Sequence, residues 1–167
     1  MYPECEEIMR LAPDYRIIPV CKEIYADVIT PIGLLRKIAA VSKRYYLLES
    51  VEGGEKWGRY SFLGFDPIMR VTCSMDQVTI ETEEGSKVKH TKKPLEVIRE
   101  ILKDMKAPKI KGIPPFAGGF VGYFAYSIIG YAEPVLKIKK GDFPDYDLML
   151  FDKVIAYDHL KQKISVI

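Results

Sequence analysis

The residues whose types and spacing allow chemistry gather in one stretch, Leu47 to Gly64, with the sequence LLESVEGGEKWGRYSFLG. It begins as an apolar strand does, then sets Glu49 and Ser50 where further hydrophobes are expected. In extended conformation Tyr45, Leu47 and Glu49 share one face and Tyr46, Leu48 and Ser50 the other, so one polar group points toward a core at the strand's end. A buried carboxylate needs a cation or hydrogen-bond donors, because desolvation otherwise neutralises it. Arg59, across the Gly53-Gly54 connection, is a candidate partner if the two strands pair. A protein-only ion pair is one reading and, from the residues alone, the preferred one. The other is a site for a free amino acid, which needs an acceptor for its ammonium, donors for its carboxylate and an apolar slot for its side chain. Glu49, Ser50 with Arg59, and Leu48 with the neighbouring aromatics supply those three in turn.

The remaining constellations are poorer. His90 lies beside a basic tract and His159 in an expected hairpin turn, and neither has a second His or a Cys at ligand spacing, which argues against a metal site. No GxSxG elbow is present, and Cys5, Cys21 and Cys73 sit in no nucleophile context. The run Gly118-Gly119-Phe120-Val121-Gly122 lacks the GxGxxG order and reads as small residues that let a strand pass under bulky neighbours. Asp142, Asp145 and Asp147 flank Phe143-Pro144 and read as turn formers rather than cation ligands.

These residues must be positioned by a fold that 167 residues, 48% hydrophobic and 29% charged, are enough to build around a real core. A net charge of +2, with basic residues scattered, leaves no electrostatic footprint for nucleic acid. Three cysteines without CxxC spacing fit a reducing, cytoplasmic setting; the N-terminus has no apolar signal core, and no run has the length of a membrane span. The chain has no Asn and only two Gln, a shortage of thermolabile amides that suits a thermophile.

Arg16 to Tyr25 reads as a strand with Pro19 marking an edge or bulge. Thr30-Pro31 signals a helix start, followed by Ile32, Leu35, Ile38 and Ala39 at helical spacing. Arg44 to Val51 and Arg59 to Phe65 are the next strands; Ile68 to Ser74, Gln77 to Thr82 and Lys87 to His90 form an antiparallel meander. Pro94 to Met105 is the clearest helix, with Leu95, Ile98, Ile101, Leu102 and Met105 on one face. Phe116 to Tyr126 is a glycine-rich strand, and Asp147 to Asp158 with Gln162 to Ile167 form a final hairpin. Hairpins with two or three inserted helices and no βαβ rhythm predict an α+β fold on a mostly antiparallel sheet. Ile167 falls inside an expected strand, which predicts a piece of a longer protein.

Three blocks, LLES followed by GRYSFLG and Asp66-Pro67, then PFAGGFVGY (Pro115 to Tyr123), then FPDYDLMLFD (Phe143 to Asp152), resemble the N-terminal region of anthranilate synthase component I. Its relative aminodeoxychorismate synthase component I, of the folate pathway, shares this region. The resemblance implies a tryptophan-binding, feedback-regulatory N-terminal domain over residues 1–167, within an enzyme that converts chorismate and glutamine-derived ammonia into anthranilate and pyruvate. It reverses the preference for Glu49 and Ser50, which with Leu48 become the expected tryptophan-site residues, with Arg59 beside them. The implied partners are L-tryptophan, a glutamine amidotransferase subunit (component II) and the protein's own C-terminal chorismate-binding portion. That portion holds the catalytic residues and the magnesium of the family, so this chain is expected to carry no catalytic residue and no metal, and to be inactive alone. The Tyr126-Ser127 step departs from the Tyr-Asp of the family pattern. A stand-alone amino-acid-sensing or docking module is the reading from a different class.

Overall fold

The computed structural model describes residues 1–49, 58–133, 135, 136, 138 and 141–167. Ser50 and the Gly53-Gly54 connection lie outside them. The chain divides into two compact units: Met1–Pro67 with Met105–Gly119 and Phe151–Ile167, and Ile68–Asp104 with Phe120–Leu150. Each is built on a five-stranded antiparallel sheet, so the α+β class expected from sequence holds.

The first unit carries helix α1 (Cys5–Leu11), strand β1 (Lys22–Tyr25), helix α2 (Pro31–Ala39), and strands β2 (Tyr45–Leu48) and β3 (Tyr60–Phe65). The helix start at α2 is as the sequence predicts: Thr30 is the N-cap, its Oγ1 accepts the Gly33 N–H at 3.1 Å, and Pro31 occupies the first position, where no N–H is needed. The buried face differs by one step. Ile38 is buried and Leu34 packs on the Tyr157–Ile164 cluster, while Ile32 is exposed. The strand expected from Arg16 shortens to Lys22–Tyr25, an edge strand whose ladder partner begins at Val166.

The second unit contains β4 (Met69–Ser74), β5 (Gln77–Thr82), β6 (Gly85–His90), helix α3 (Pro94–Asp104), β7 (Gly119–Phe124), the short helix α4 (Ile129–Ala132), and β8 (Tyr146–Phe151). The meander is as expected. Ser74 pairs with Gln77 across a two-residue turn in which Met75 and Asp76 both have positive φ, the geometry that matches the twist of a tight hairpin. On α3 the buried residues are Pro94, Val97 and Ile98, which close over Val71, Val78 and Tyr146, while Leu102 is exposed. The Tyr146 hydroxyl donates to the Pro94 carbonyl at 3.1 Å, tying helix to sheet.

One expectation is corrected. Asp147–Asp158 is not a single strand: it breaks at the exposed pair Asp152-Lys153 into β8, in the second unit's sheet, and β9 (Val154–Asp158), in the first. The final hairpin therefore comprises β9 and β10 (Lys163–Val166), and the first sheet runs in the order β1-β10-β9-β3-β2. In it, β3 lies between β2 and β9. This placement matters, because the residues at the ends of these three strands become neighbours.

Candidate functional site

The β2–β3 register pairs Tyr45 with Phe65 and Leu48 with Phe62. Continued by one residue, it sets Glu49 opposite Ser61. The β3–β9 register pairs Ser61 with Tyr157 and Tyr60 with Asp158, and the His159 N–H donates to the Arg59 carbonyl at 2.9 Å, extending that ladder by one pair. Side chains alternate along each strand, so Leu47, Glu49, Ser61, Leu63, Tyr157 and His159 share one face. Ala26, Ile29 and Leu34 cover its apolar part around Tyr157.

The opposite face is aromatic. The Tyr46 ring meets Phe151 edge-on at 4.7 Å and Phe116 at 6.5 Å, Phe62 meets Phe116 at 5.6 Å, and Tyr60 stacks on Phe62 at 5.7 Å. Gly64 makes this possible: a Cβ there would stand 2.2 Å from the Tyr46 ring of its cross-strand partner.

At the open end of β2, Leu48 is 47% exposed and the Glu49 side chain follows it. Ser61, wholly buried, donates its hydroxyl to Glu49 Oε1 at 3.2 Å, and its oxygen lies 2.7 Å from His159 Nε2. Among the described residues, Glu49 is thus held by a hydroxyl and not by a cation. Arg59 makes a different pair from the one the sequence offers. Its Nε and Nη2 donate to Asp158 at 3.1 and 2.7 Å, and its guanidinium lies 4.9 Å from the Tyr60 ring centre. Asp158 is buried and also accepts the Leu160 and Lys161 N–H groups at 3.0 Å. Burial alone raises the pKa of this carboxyl; the Arg59 guanidinium and the two N–H groups outweigh it and hold the group below its ordinary value. Arg59 is correspondingly raised, chiefly by its bonds to Asp158.

Of the four residues singled out from sequence, Leu48 and Glu49 stand at one strand end, Arg59 flanks the adjoining strand with its side chain turned to Asp158, and Ser50 is outside the described residues. Sequence reasoning passed over Ser61, His159 and Asp158. The signal for Ser61 was present: a serine at an inward position in YSFLG, directly opposite Glu49 once the two strands are paired.

A second polar cluster lies within the other unit. Asp145, buried, accepts the Ser127 hydroxyl at 2.6 Å and the Tyr131 hydroxyl at 3.0 Å. Asp147 binds Arg70 through both oxygens, at 2.9 and 2.7 Å. These aspartates therefore anchor side chains rather than turns, a correction to the sequence reading. The departure at Ser127 has a physical sense here, since an aspartate at that position would set a second carboxylate against Asp145. A cavity of about 310 Å³ beside them is lined by Asp76, Lys92, Tyr131, Leu136 and Asp145, and the Asp145 carboxylate is already occupied by internal donors. The glycine-rich strand does what its packing reading requires: a Cβ on Gly122 would stand 2.0 Å from the Asp147 carbonyl oxygen, so β7 runs against β8 at a distance only glycine permits.

Among the described residues no group of three or more His, Cys, Asp or Glu stands together to hold a metal ion. Nor is any described helix long and apolar enough to cross a membrane.

No protein-family model matches the chain. Over 99% of its length it is 41% identical to "Anthranilate synthase component 1" of Acetivibrio thermocellus, covering 34% of that protein. It is 37% identical over 97% of its length to the protein of the same name from Aquifex aeolicus, covering 33% of it. For Pseudomonas aeruginosa the figures are 38% identity, 97% and 34%. The fold matches the crystal structure of anthranilate synthase component I from Streptococcus pneumoniae TIGR4 with a TM-score of 0.55 and 24% identity, over 86% of this chain and 30% of that one. The chain spans about a third of the length of these curated relatives and, along nearly the whole of its own length, is homologous to anthranilate synthase component I.

Proposed function

We propose that this chain is the N-terminal, tryptophan-binding regulatory portion of anthranilate synthase component I, with Leu48, Glu49, Ser50 and Arg59 at the effector site. The observation that carries the reading is Glu49: an exposed carboxylate at a strand end, steadied by a buried hydroxyl and bound by no cation among the described residues. Such a group is suited to an ammonium, the one cation an amino acid brings with it. Leu48, half-exposed on the other face of the same strand end, offers apolar surface to an indole that reaches around that end. Arg59 uses Nε and Nη2 on Asp158, which among the described residues leaves Nη1 for the ligand's carboxylate, with the Ser50 hydroxyl as the second donor in this reading. Relatives named for anthranilate synthase favour the tryptophan pathway over the folate one.

In this reading the enzyme turns chorismate and ammonia into anthranilate and pyruvate in the cytoplasm, the ammonia coming from a glutamine amidotransferase partner, component II. The chorismate site and its magnesium belong to the protein's larger C-terminal portion. No step of the chemistry is assigned to the residues of this chain. Tryptophan exerts feedback by binding one arrangement of the whole protein better than the other, since a ligand shifts an equilibrium only by its differential affinity.

The test is made in the full-length enzyme. Glu49→Ala and Ser50→Ala should each raise the tryptophan concentration needed for inhibition by about tenfold or more, the scale of a charge-assisted hydrogen bond, and leave uninhibited turnover intact. Inhibition retained at wild-type tryptophan concentrations in both variants would overturn the site.

A further inference from the structure

Two members of the cluster, Ser61 and His159, are more deeply buried than Glu49 itself. Ser61 is wholly buried in β3, with one hydroxyl proton and two polar neighbours, Glu49 Oε1 at 3.2 Å and His159 Nε2 at 2.7 Å. A carboxylate only accepts, so in the Ser61–Glu49 bond the hydroxyl proton points to Glu49, and the tautomer that completes the relay is the one whose Nε2–H is donated to Ser61 Oγ. In that tautomer His159 donates to Ser61, and Ser61 donates to Glu49. His159 is itself anchored at three points. Its N–H bonds the Arg59 carbonyl at 2.9 Å, its carbonyl accepts from Gln162 Nε2 at 2.7 Å, and its ring tilts against Tyr157 at 4.8 Å. The hairpin between β9 and β10 thus reaches the end of β2 through hydrogen bonds.

We propose that Ser61 and His159 are positioning residues for the effector site, holding the Glu49 carboxylate by Oε1 so that Oε2 faces the ligand's ammonium. The proposal rests on the tryptophan-site reading above. An exposed glutamate at a strand end otherwise samples many rotamers, and ligand binding would have to immobilise it; the relay does so beforehand. A buried serine that merely satisfies its own hydroxyl makes a different prediction. It would alter stability, or the binding of every ligand alike, whereas loss of the relay weakens only ligands that carry an ammonium.

The experiment compares L-tryptophan with indole-3-propionate, the same skeleton without the amine, as ligands of the full-length protein. The proteins are the wild type, Glu49→Gln, Ser61→Ala, His159→Phe and His159→Gln. Ser61→Ala and His159→Phe should bind tryptophan about three- to tenfold more weakly, the scale of one side chain left to be immobilised. Their affinity for indole-3-propionate should not change. His159→Gln, whose amide can donate in place of Nε2–H, should recover most of the tryptophan affinity. If the wild type does not bind tryptophan, or Glu49→Gln binds it as well as the wild type, the effector-site reading falls and this proposal with it. If Glu49→Gln loses affinity while Ser61→Ala and His159→Phe do not, or if these two lose both ligands equally, the positioning role alone is overturned. Should Ser61→Ala fail to fold, the His159→Phe and His159→Gln pair, at a half-buried hairpin turn, decides the matter by loss and rescue.

Discussion

Asp158 gathers a guanidinium and two backbone N–H groups on one buried carboxylate. Its folded-state pKa lies below the ordinary value of about 4. A depressed carboxyl contributes stability that is fully present above the unfolded pKa and is lost as pH falls through the folded one. Asp158→Asn should therefore be less stable than the wild type at pH 7, with the gap closing as pH drops below about 4. Urea unfolding at pH 7, 5 and 3 measures it, and a gap that is constant with pH would overturn the assignment. The same pair explains why the ion pair of Arg59 with Glu49 was the natural expectation and is not what forms. Both carboxylates lie within reach of strand β3, but only Asp158 faces Tyr60 across the β3–β9 ladder, and the Arg59–Asp158 bond joins residues 99 apart in the chain. Sequence showed that Glu49 was out of place among hydrophobes. It did not show which neighbour would attend it, because Ser61 and His159 become neighbours only after three strands are set in register.

Among the elements, what is legible locally was legible in the sequence. Thr30, Pro31 and Gly33 specify the start of α2 through one cap bond and a position without an N–H, and the apolar spacing of Pro94–Asp104 specifies α3. The division of Asp147–Asp158 between two sheets was not legible, since both halves are equally apolar and non-local pairing decides their partners. The glycine-rich strand β7 is intermediate: its small residues announced a close approach, though not to what. Gly122 is where that approach is tightest, and the atoms met by an added Cβ are the Asp147 carbonyl oxygen and, at 2.9 Å, Leu148 Cα. Backbone cannot yield as a side-chain tip can, so Gly122→Ala should force β7 away from β8 and cost about 3 kcal/mol. Gly141→Ala, where nothing lies within 4 Å of the added atom, is the control and should stay within about 0.5 kcal/mol of the wild type. Thermal unfolding of the two variants checks the pair; equal midpoints would show that β7 is not held against β8.

At the scale of the whole molecule, the described residues leave the candidate site open. Leu48 is 47% exposed, and the Glu49 side chain is exposed beyond it. Sites that bind small molecules well bury most of the ligand's surface, and a strand end with a carboxylate and one apolar side chain encloses far less. The chain covers 34% of the length of the Acetivibrio thermocellus relative, so in the proposed function the rest of the enclosure is supplied by the remaining length of the protein. A pocket completed by two parts of one protein also suits regulation, because a ligand that touches both can favour one arrangement over another, which a ligand enclosed by a single rigid part cannot do. The consequence is quantitative. The 167 residues alone should bind L-tryptophan only in the millimolar range, while the full-length protein should bind it at least about a hundredfold more tightly, a difference of some 2.7 kcal/mol. Calorimetric titration of both proteins measures the ratio. Micromolar binding by the isolated chain would overturn the half-site reading and make these residues a self-contained amino-acid sensor; weak binding by the chain with tight binding by the whole would locate the effector site where two parts of the protein meet.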